Sequence, residues 1–496
     1  MVFTIKKKSF IYLTGGGKVL KFSMLCIVSL FCSICSIAQN NILSQPAHSA
    51  VMAAIYDYDS DAYAQAINQV TDKAVAAYLA EYQALMIYTA SNSDANYNKY
   101  MKASDKALSE VEKHQYEPTL TSNLQLHRCL VELSNGSMFG GGVQFWKSYR
   151  SFKRGEEKLK NYDGQLMLRA IFDILLSQVP EKWKGLAGLF GFGDGNLEQG
   201  FAEIDEYHKR VKNVPGLNEE SLLLTFANIF LSHDQRISEA QRAELRTSNA
   251  PVVVYAYLLS CGRKCMGEEA DDVLSNLDVH TYQVFPLMYH QRAKYALRRL
   301  DTAKAKHYAD EFISIYTGFS CRNDAPLIKA YALLLEGKKA EAEQQAKVAI
   351  STPYRSDVDK RTYRDAEIFS QMHPTLLKAR FQFEYGNYVA SLETLKDFVP
   401  TSADALEHAF RTARAEEKLL HTDEALRQYD KTISLAGDSK RYFGPYAAVY
   451  AADIMLSKGN KIAAKRYIAV ARKLNNGEFS KEIDQRCELT ERAIGN

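Results

Sequence analysis

Proline is scarce in this sequence, and so are the alternating patterns that form strands. Only 11 prolines occur in 496 residues, and few segments alternate apolar and polar side chains with the period of two that a half-buried strand needs. Long stretches are instead rich in alanine, leucine, glutamate, lysine and glutamine, which are good helix formers. The sequence therefore predicts an all-α protein.

The chain also lacks an excess of charge of either sign. Its formal charge is +3, but residues 1–38 hold five lysines and no acidic residue, so the rest of the chain carries −2. Proteins that bind nucleic acid present clustered positive charge to the phosphates. We therefore predict no nucleic-acid binding.

Cysteines are too few for a disulfide framework. Five follow residue 38, and an odd number leaves at least one thiol free; they are Cys129, Cys261, Cys265, Cys321 and Cys487. Cys261 and Cys265 are four positions apart and face the same side of a helix if Gly262 does not break it. They are either a local disulfide or redox pair, or small buried side chains. We favour burial, which is common for free cysteine.

Signatures of catalysis and metal binding are missing. No His-Glu-x-x-His or Gly-x-Ser-x-Gly motif occurs, and no cysteine has an activating partner nearby in the sequence. The glycines at 191–195 lack dinucleotide-binding spacing, which predicts a turn between helices. Those at 140–142 lack a following Gly-Lys-Ser/Thr and lie between helical patterns. His290 and His307 fall in helical segments as packing residues. We predict no enzyme activity, cofactor or metal site.

The N-terminus has the pattern of an export signal. Five lysines precede an apolar run at residues 24–37, and Ser36 and Ala38 supply the small residues for cleavage before Gln39. The run is too short for a comfortable membrane span. We therefore expect residues 1–38 to be a removed signal peptide, with no stable transmembrane span after cleavage. The mature protein is then expected in the periplasm or cell envelope of a bacterium.

The C-terminal half contains a repeated helical pattern. Small residues recur at one helical position, each followed by apolar or aromatic side chains at helical spacing; they are Ala305, Ala342, Ser391, Ala425 and Ala464. A small residue lets two helices approach closely, so its recurrence indicates a recurring helix contact. Gly337, Gly386 and Gly459 stand where a helix ends in a left-handed turn. This half resembles degenerate tetratricopeptide repeats, about five in number.

A central segment resembles a more particular family. A glycine pair leads into an aromatic Ser-Tyr-x-x-Phe-Lys helix, followed by a Leu-Leu-Ser-x-x-Pro helix end and a glycine-rich turn. This order is similar to the central region of the animal tetratricopeptide-repeat proteins related to the fungal inclusion-body clearance protein. The matching positions are Gly141, Gly142, Ser148, Tyr149, Phe152, Lys153, Leu175, Leu176, Ser177, Pro180, Gly191, Phe192, Gly193, Asp194 and Gly200.

The resemblance covers residues 50–240 and implies a helical-repeat fold. Its members are intracellular, whereas this chain carries an export signal, so their link to lipid droplets or organelle surfaces does not carry over. The same segment concentrates aromatic side chains, and five of them are candidates for a binding surface: Trp146, Tyr149, Phe152, Trp183 and Phe192. They either pack the core, which aromatic residues commonly do, or line an apolar groove for a peptide or acyl chain.

These observations predict an all-α, right-handed α-α superhelix, a solenoid of tetratricopeptide-like helical hairpins. We expect a signal peptide at 1–38, an N-terminal helical region at 47–245 and degenerate repeats at 250–496. Charged runs at 338–343 and 411–418 are expected on solvated outer faces, with the concave surface as the alternative. The predicted function is a non-enzymatic scaffold that binds a protein or peptide in its concave face. The alternative is a carrier or sensor of a hydrophobic small molecule or lipid.

Overall fold

The computed structural model describes residues 43, 45–179, 181–231, 239–355 and 357–495. Over these residues the regular secondary structure is entirely helical, and the helices pack in neighbouring pairs. The prediction of an all-α fold of stacked helical hairpins is thus confirmed. The predicted signal peptide at 1–38 lies outside the described residues. Across the described part of the chain, no helix combines the length and apolarity that a bilayer span requires.

Eleven helices precede residue 250 in this part of the chain. They are α1 (Pro46–Tyr56), α2 (Ser60–Ile67), α3 (Lys73–Ser91), α4 (Asp94–Glu110), α5 (Glu117–Ser134), α6 (Met138–Gly155), α7 (Asp163–Ser177), α8 (Glu181–Leu189), α9 (Leu197–Val211), α10 (Leu217–Leu231) and α11 (Glu239–Thr247).

Fifteen described helices follow. They are α12 (Pro251–Lys264), α13 (Gly267–Asn276), α14 (Val279–Val284), α15 (Leu287–Arg298), α16 (Thr302–Ile315), α17 (Asp324–Leu335), α18 (Lys339–Ser351), α19 (Asp357–Glu367), α20 (Pro374–Tyr385), α21 (Tyr388–Lys396), α22 (Ala405–Lys418), α23 (Thr422–Ala436), α24 (Phe443–Ser457), α25 (Lys461–Leu474) and α26 (Ser480–Gly495).

One turn recurs between the two helices of a hairpin throughout the described chain. A residue with left-handed backbone ends the first helix, the next residue is the N-cap, and the second helix then begins. The left-handed residues are Tyr58, Asn92, Gly136, Cys265, Leu300, Gly337, Gly386, Leu420 and Gly459. The prediction for the three C-terminal glycines is confirmed. The same turn also joins α1 to α2, α3 to α4 and α5 to α6, so the hairpin unit extends into the N-terminal region.

The recurring small residues occupy one position of the hairpin. Each is the fourth residue of a second helix and is no more than 1% exposed; they are Ala305 in α16, Ala342 in α18, Ser391 in α21, Ala425 in α23 and Ala464 in α25. The predicted helix contacts are therefore confirmed, because each second helix packs on its partner at this point. The Ser391 hydroxyl adds a hydrogen bond to the carbonyl of Ala379 on the first helix, at 2.8 Å.

The sequence predicts that the glycine cluster at 140–142 lies between helices. In the structure it lies inside a helix. It forms the first turn of α6, and Gly141 stands at the same fourth position. A Cβ atom at Gly141 would lie 2.4 Å from the side chain of Leu133 on α5. Any larger residue at this position would force the side chain of Leu133 to shift, so glycine allows that leucine to pack against α6.

The helices from α1 to α20 share one continuous core. Packed buried side chains run from Leu43 to Phe381, and smaller clusters lie beneath the last three hairpins and α26. Stacked repeats produce this continuity, because each buries its apolar face on the next. The first helices of the later hairpins contact one another, α15 with α17 and α20, and α20 with α22. The proposed limits at 47–245 and 250–496 stay predictions.

Candidate binding groove

The structure brings three of the five aromatic candidates together. Tyr149 and Phe152, on α6, are 6% and 3% exposed. The ring centroid of Tyr149 lies 5.0 Å from that of Phe192 and 5.2 Å from that of Phe172. Its hydroxyl also accepts a hydrogen bond from the amide of Gly193, at 3.1 Å. These side chains thus pack one another and hold the glycine-rich turn against α6.

The two tryptophans differ from this cluster. Trp146 is half-buried, donates from Nε1 to the carbonyl of Phe190 at 3.3 Å, and carries the guanidinium of Arg150 over its ring at 4.8 Å. The side chain of Trp183 lies outside the described residues. The turn at 191–195 joins α8 to α9, with Gly191 at φ +80°, which confirms the expected turn between helices. Ligand binding by the aromatic candidates stays a prediction.

A different surface gathers polar and aromatic side chains from α19, from the first helices of the later hairpins and from the residue before α26. It encloses a cavity of about 270 Å³, open to solvent, between α19, α20, α22 and α24. We call it the arginine–aromatic groove. Its lining comprises Arg361, Arg380, Phe383, Glu384, Phe410, Arg411, Arg414, Tyr442, Tyr446, Tyr450 and Phe479.

Helical periodicity aims these side chains into the groove. Arg411 and Arg414 are three positions apart on α22, and Tyr446 and Tyr450 are four apart on α24, so each pair shares one face of its helix. The hairpin geometry directs that face toward the neighbouring first helix. The groove is therefore built from side chains on rigid helices.

Ion pairs fix the floor of the groove. Arg380 contacts Asp365 at 3.3 Å and Glu384 at 2.9 Å, and Arg298 of α15 contacts Glu384 at 3.3 Å. Burial alone would raise the pKa of Glu384, but Arg380, Arg298 and Arg361 outweigh it and hold that pKa well below its usual range. Glu384 is therefore a carboxylate that positions Arg380.

Arg414 is held between a carboxylate and an aromatic ring. Its Nη1 lies 2.6 Å from Glu417, and its guanidinium lies 3.8 Å from the ring centroid of Tyr450 and 5.5 Å from that of Phe383. An arginine stacked on rings in this way keeps its charge and spare N–H donors while its position is fixed.

Arg361 has no hydrogen-bonded carboxylate among the residues that the structure describes. Its guanidinium lies 5.9 Å from the ring centroid of Phe479 and interacts with Asp365 and Glu384 only through space. It is exposed to solvent within the groove. Arg361 therefore lines the groove with no described carboxylate bonded to it.

The groove as a whole is cationic. Together with the adjoining recess beside it, its lining holds five arginines and three carboxylates; the arginines are Arg361, Arg380, Arg411, Arg414 and Arg441. Planar guanidinium groups match carboxylate and phosphate oxygens, and the aromatic rings offer apolar contact. This arrangement suits an anionic ligand that also carries an apolar or aromatic group.

The sequence indicated only part of this groove. The run at 411–418 was expected on an outer face, yet Arg411 and Arg414 line the groove, as in the alternative of a concave surface. Lys418 is exposed. No sequence pattern indicates Arg361 or Arg380, because their proximity depends on how separate helices are arranged in the fold. The run at 338–343 is largely exposed, with Ala342 buried beneath it.

Similarity to known proteins is found among solved structures. No family model matches the chain, and no curated protein sequence matches it. The crystal structure of yeast Tom70 aligns with 13% identity over 84% of this chain and 90% of that chain, with a TM-score of 0.33. The crystal structure of the APC/C hetero-tetramer Cut9-Hcn1 aligns with 11% identity over 94% of this chain and 99% of that chain, with a TM-score of 0.23.

The resemblance to the fungal inclusion-body clearance family stays a prediction. The architecture itself is clear from two features that repeat together, namely the left-handed turn and the small fourth residue that follows it. The chain is a tetratricopeptide-like helical-repeat protein.

Proposed function

We propose that this chain is a non-enzymatic scaffold that binds an anionic segment of a protein partner in the arginine–aromatic groove. The observation that carries the proposal is Arg361, which is exposed inside a groove lined by aromatic rings and lacks a bonded carboxylate in the described structure. An enclosed cavity would hold a compact ligand, whereas this groove is open to solvent. An extended peptide fits such a shape.

The chemistry of the groove defines the peptide. Acidic side chains, or a terminal carboxylate, pair with Arg361 and with the free donors of Arg411 and Arg414. An aromatic or branched side chain of the peptide packs on Tyr446 and Phe479. Binding of the peptide costs the protein little conformational entropy, because ion pairs and ring contacts already hold the groove side chains in place.

We propose, from the signal pattern at 1–38, that this scaffold acts outside the cytoplasm. A partner is then an exported or envelope protein with an accessible acidic segment. The proposal excludes turnover of the bound segment. Chemical conversion of a bound peptide by the purified protein, abolished by substitution of groove residues, would overturn the scaffold assignment.

Fluorescence anisotropy with two labelled peptides tests the groove. One is a short peptide that alternates glutamate and phenylalanine, and its counterpart replaces each glutamate with lysine. We expect the acidic peptide to bind and the basic one to fail, and we expect Arg361→Ala to weaken binding at least tenfold, which is about 1.4 kcal/mol. Binding should also weaken as salt is raised.

Arg466 supplies the matched control. It lies on the second helix α25 and is exposed away from the groove lining. Arg466→Ala removes the same charge and should leave the affinity unchanged. Equal losses in the two variants would point to overall charge and not to the groove, and binding of both peptides alike would exclude the proposed recognition.

A further inference from the structure

A second cluster of polar side chains lies where α15 meets the start of α17. It joins His290 on α15, Cys321 just before α17 and Asp324 at the first residue of α17. One candidate ligand atom from each residue lies within 4.8 Å of the other two. His290 is 2% exposed, and the other two are half-buried. An imidazole, a thiol and a carboxylate therefore converge at one point of the fold.

Neighbouring groups hold these side chains in place. Nε2 of His290 lies 2.8 Å from Oδ2 of Asp324, and Thr362 donates from its hydroxyl to the other oxygen of that carboxylate. The amide of Cys321 donates to Oδ1 of Asp359 at 2.7 Å, with Cys321 in the left-handed region at φ +62°. Supporting hydrogen bonds of this kind orient the ligands of metal sites.

We propose that His290, Cys321 and Asp324 form a binding site for a divalent transition-metal cation of the zinc type. Nitrogen, sulfur and oxygen donors are the ligands that Zn²⁺ takes in proteins, and three protein ligands leave a fourth position for water. Ligand atoms less than 4.8 Å apart can close on such an ion with small side-chain rotations. The site is separate from the peptide groove and does not depend on it.

The protons balance without a further reactant. The Cys321 thiol loses its proton to solvent when the thiolate binds the cation. The imidazole of His290 binds the cation through Nε2 as the neutral ring, which carries its proton on Nδ1; that nitrogen has no hydrogen-bond partner among the described residues. Asp324 is already a carboxylate, so one proton is released for each cation bound.

The positive charge of Lys294 disfavours the binding of a cation at this site. It stands one helical turn beyond His290 on α15 and interacts electrostatically with Asp324 and Cys321. Its ammonium group provides part of the positive charge that a bound metal would supply. The site should therefore bind more tightly when this charge is removed, a response that a purely structural cluster would not give.

Cobalt(II) is the probe for this site, because a cysteine thiolate bound to it gives an intense charge-transfer absorption in the near ultraviolet. Titration of the purified, chelator-treated protein should give this band at one cobalt per chain. Cys321→Ser should abolish the band, His290→Ala should weaken binding at least tenfold, and Lys294→Met should strengthen it several-fold. Circular dichroism confirms that each variant is folded.

Cys265→Ser is the matched control, because Cys265 is also half-buried and also has left-handed backbone, at φ +57°. It should leave the cobalt band unchanged. Absence of the band in the wild-type protein would overturn the proposal without reference to any variant. A band that persists in Cys321→Ser, or is lost in Cys265→Ser, would also overturn it.

Discussion

The guanidinium of Arg364 lies 4.5 Å from the ring centroid of Phe479, although three helical hairpins separate the two residues in the chain. Arg364 belongs to α19, and Phe479 immediately precedes α26. The ring of Phe479 also lies 5.3 Å from that of Tyr442, at the start of α24. This side chain therefore links the two ends of the stack that encloses the arginine–aromatic groove.

Phe479→Ala should loosen this link. The variant loses the ring contacts and keeps a non-glycine residue at φ +54°, so we expect a loss of about 2 kcal/mol in the free energy of unfolding. Hydrogen exchange should quicken in α26 and at the start of α24. Phe139→Ala is the control, because Phe139 is 62% exposed. Equal hydrogen-exchange rates in the two variants would show that Phe479 does not hold the two ends of the helix stack together.

Ala342→Leu should destabilise the protein by about 1–3 kcal/mol, because the larger side chain has no space where α18 packs on α17. Ala340→Leu changes the same residue type two positions earlier, on the exposed side of α18. It should alter stability by less than about 0.5 kcal/mol. Chemical denaturation of both variants measures the difference. Similar midpoints would contradict the proposed close contact.

The sequence predicts the hairpins well because their determinants are local. A buried small residue at a fixed helical position and a glycine at a helix end both act within one hairpin, so Ala464 and Gly459 identify the last one. Leu300 and Leu420 make the same turn without glycine, and sequence alone gives no sign of it. The type of side chain makes left-handed backbone more or less favourable at a position, but it does not dictate that conformation.

The binding sites are harder to predict because they are assembled from several elements. Arg361 and Arg414 line the same groove only because the fold brings α19 and α22 to it, and no sequence spacing encodes that arrangement. The same holds for His290 and Cys321, whose separation of about thirty residues matches no known metal motif. Such clusters become visible when the first helices of successive hairpins are placed side by side.

Leu420→Gly should stabilise the protein by about 0.5–1 kcal/mol. Leu420 has φ +64° and is 84% exposed, so glycine relieves the left-handed strain and loses almost no contact. Lys431→Gly introduces the same residue at an exposed interior position of α23, where it should destabilise by about 1 kcal/mol. Opposite shifts in melting temperature are the expected result. A decrease in both would mean that Leu420 is not strained.

Glu336 should make stability depend on pH in the acid range. The ammonium groups of Lys306, at 2.6 Å, and Lys338, at 3.0 Å, lower its pKa from 4.5 to about 2. Since the folded state favours the ionised form, this contribution is present above pH 4.5 and is lost as the pH falls toward 2. The stability difference between wild type and Glu336→Gln should shrink over that range.

The five cysteines of the described chain should divide into two classes by reactivity. None of them is in a disulfide bond; Cys129, Cys261 and Cys487 are buried, whereas Cys265 and Cys321 are half-buried. Burial raises the pKa of Cys261 to about 12 and that of Cys487 to about 11, so little of either is thiolate at pH 8. Brief treatment with iodoacetamide, followed by peptide mass spectrometry, should modify Cys265 and Cys321 first. Denaturant should expose the other three. A disulfide between Cys261 and Cys265 would contradict this assignment. Alkylation of all five thiols at one rate would also contradict it, because it would show that burial does not control access to them.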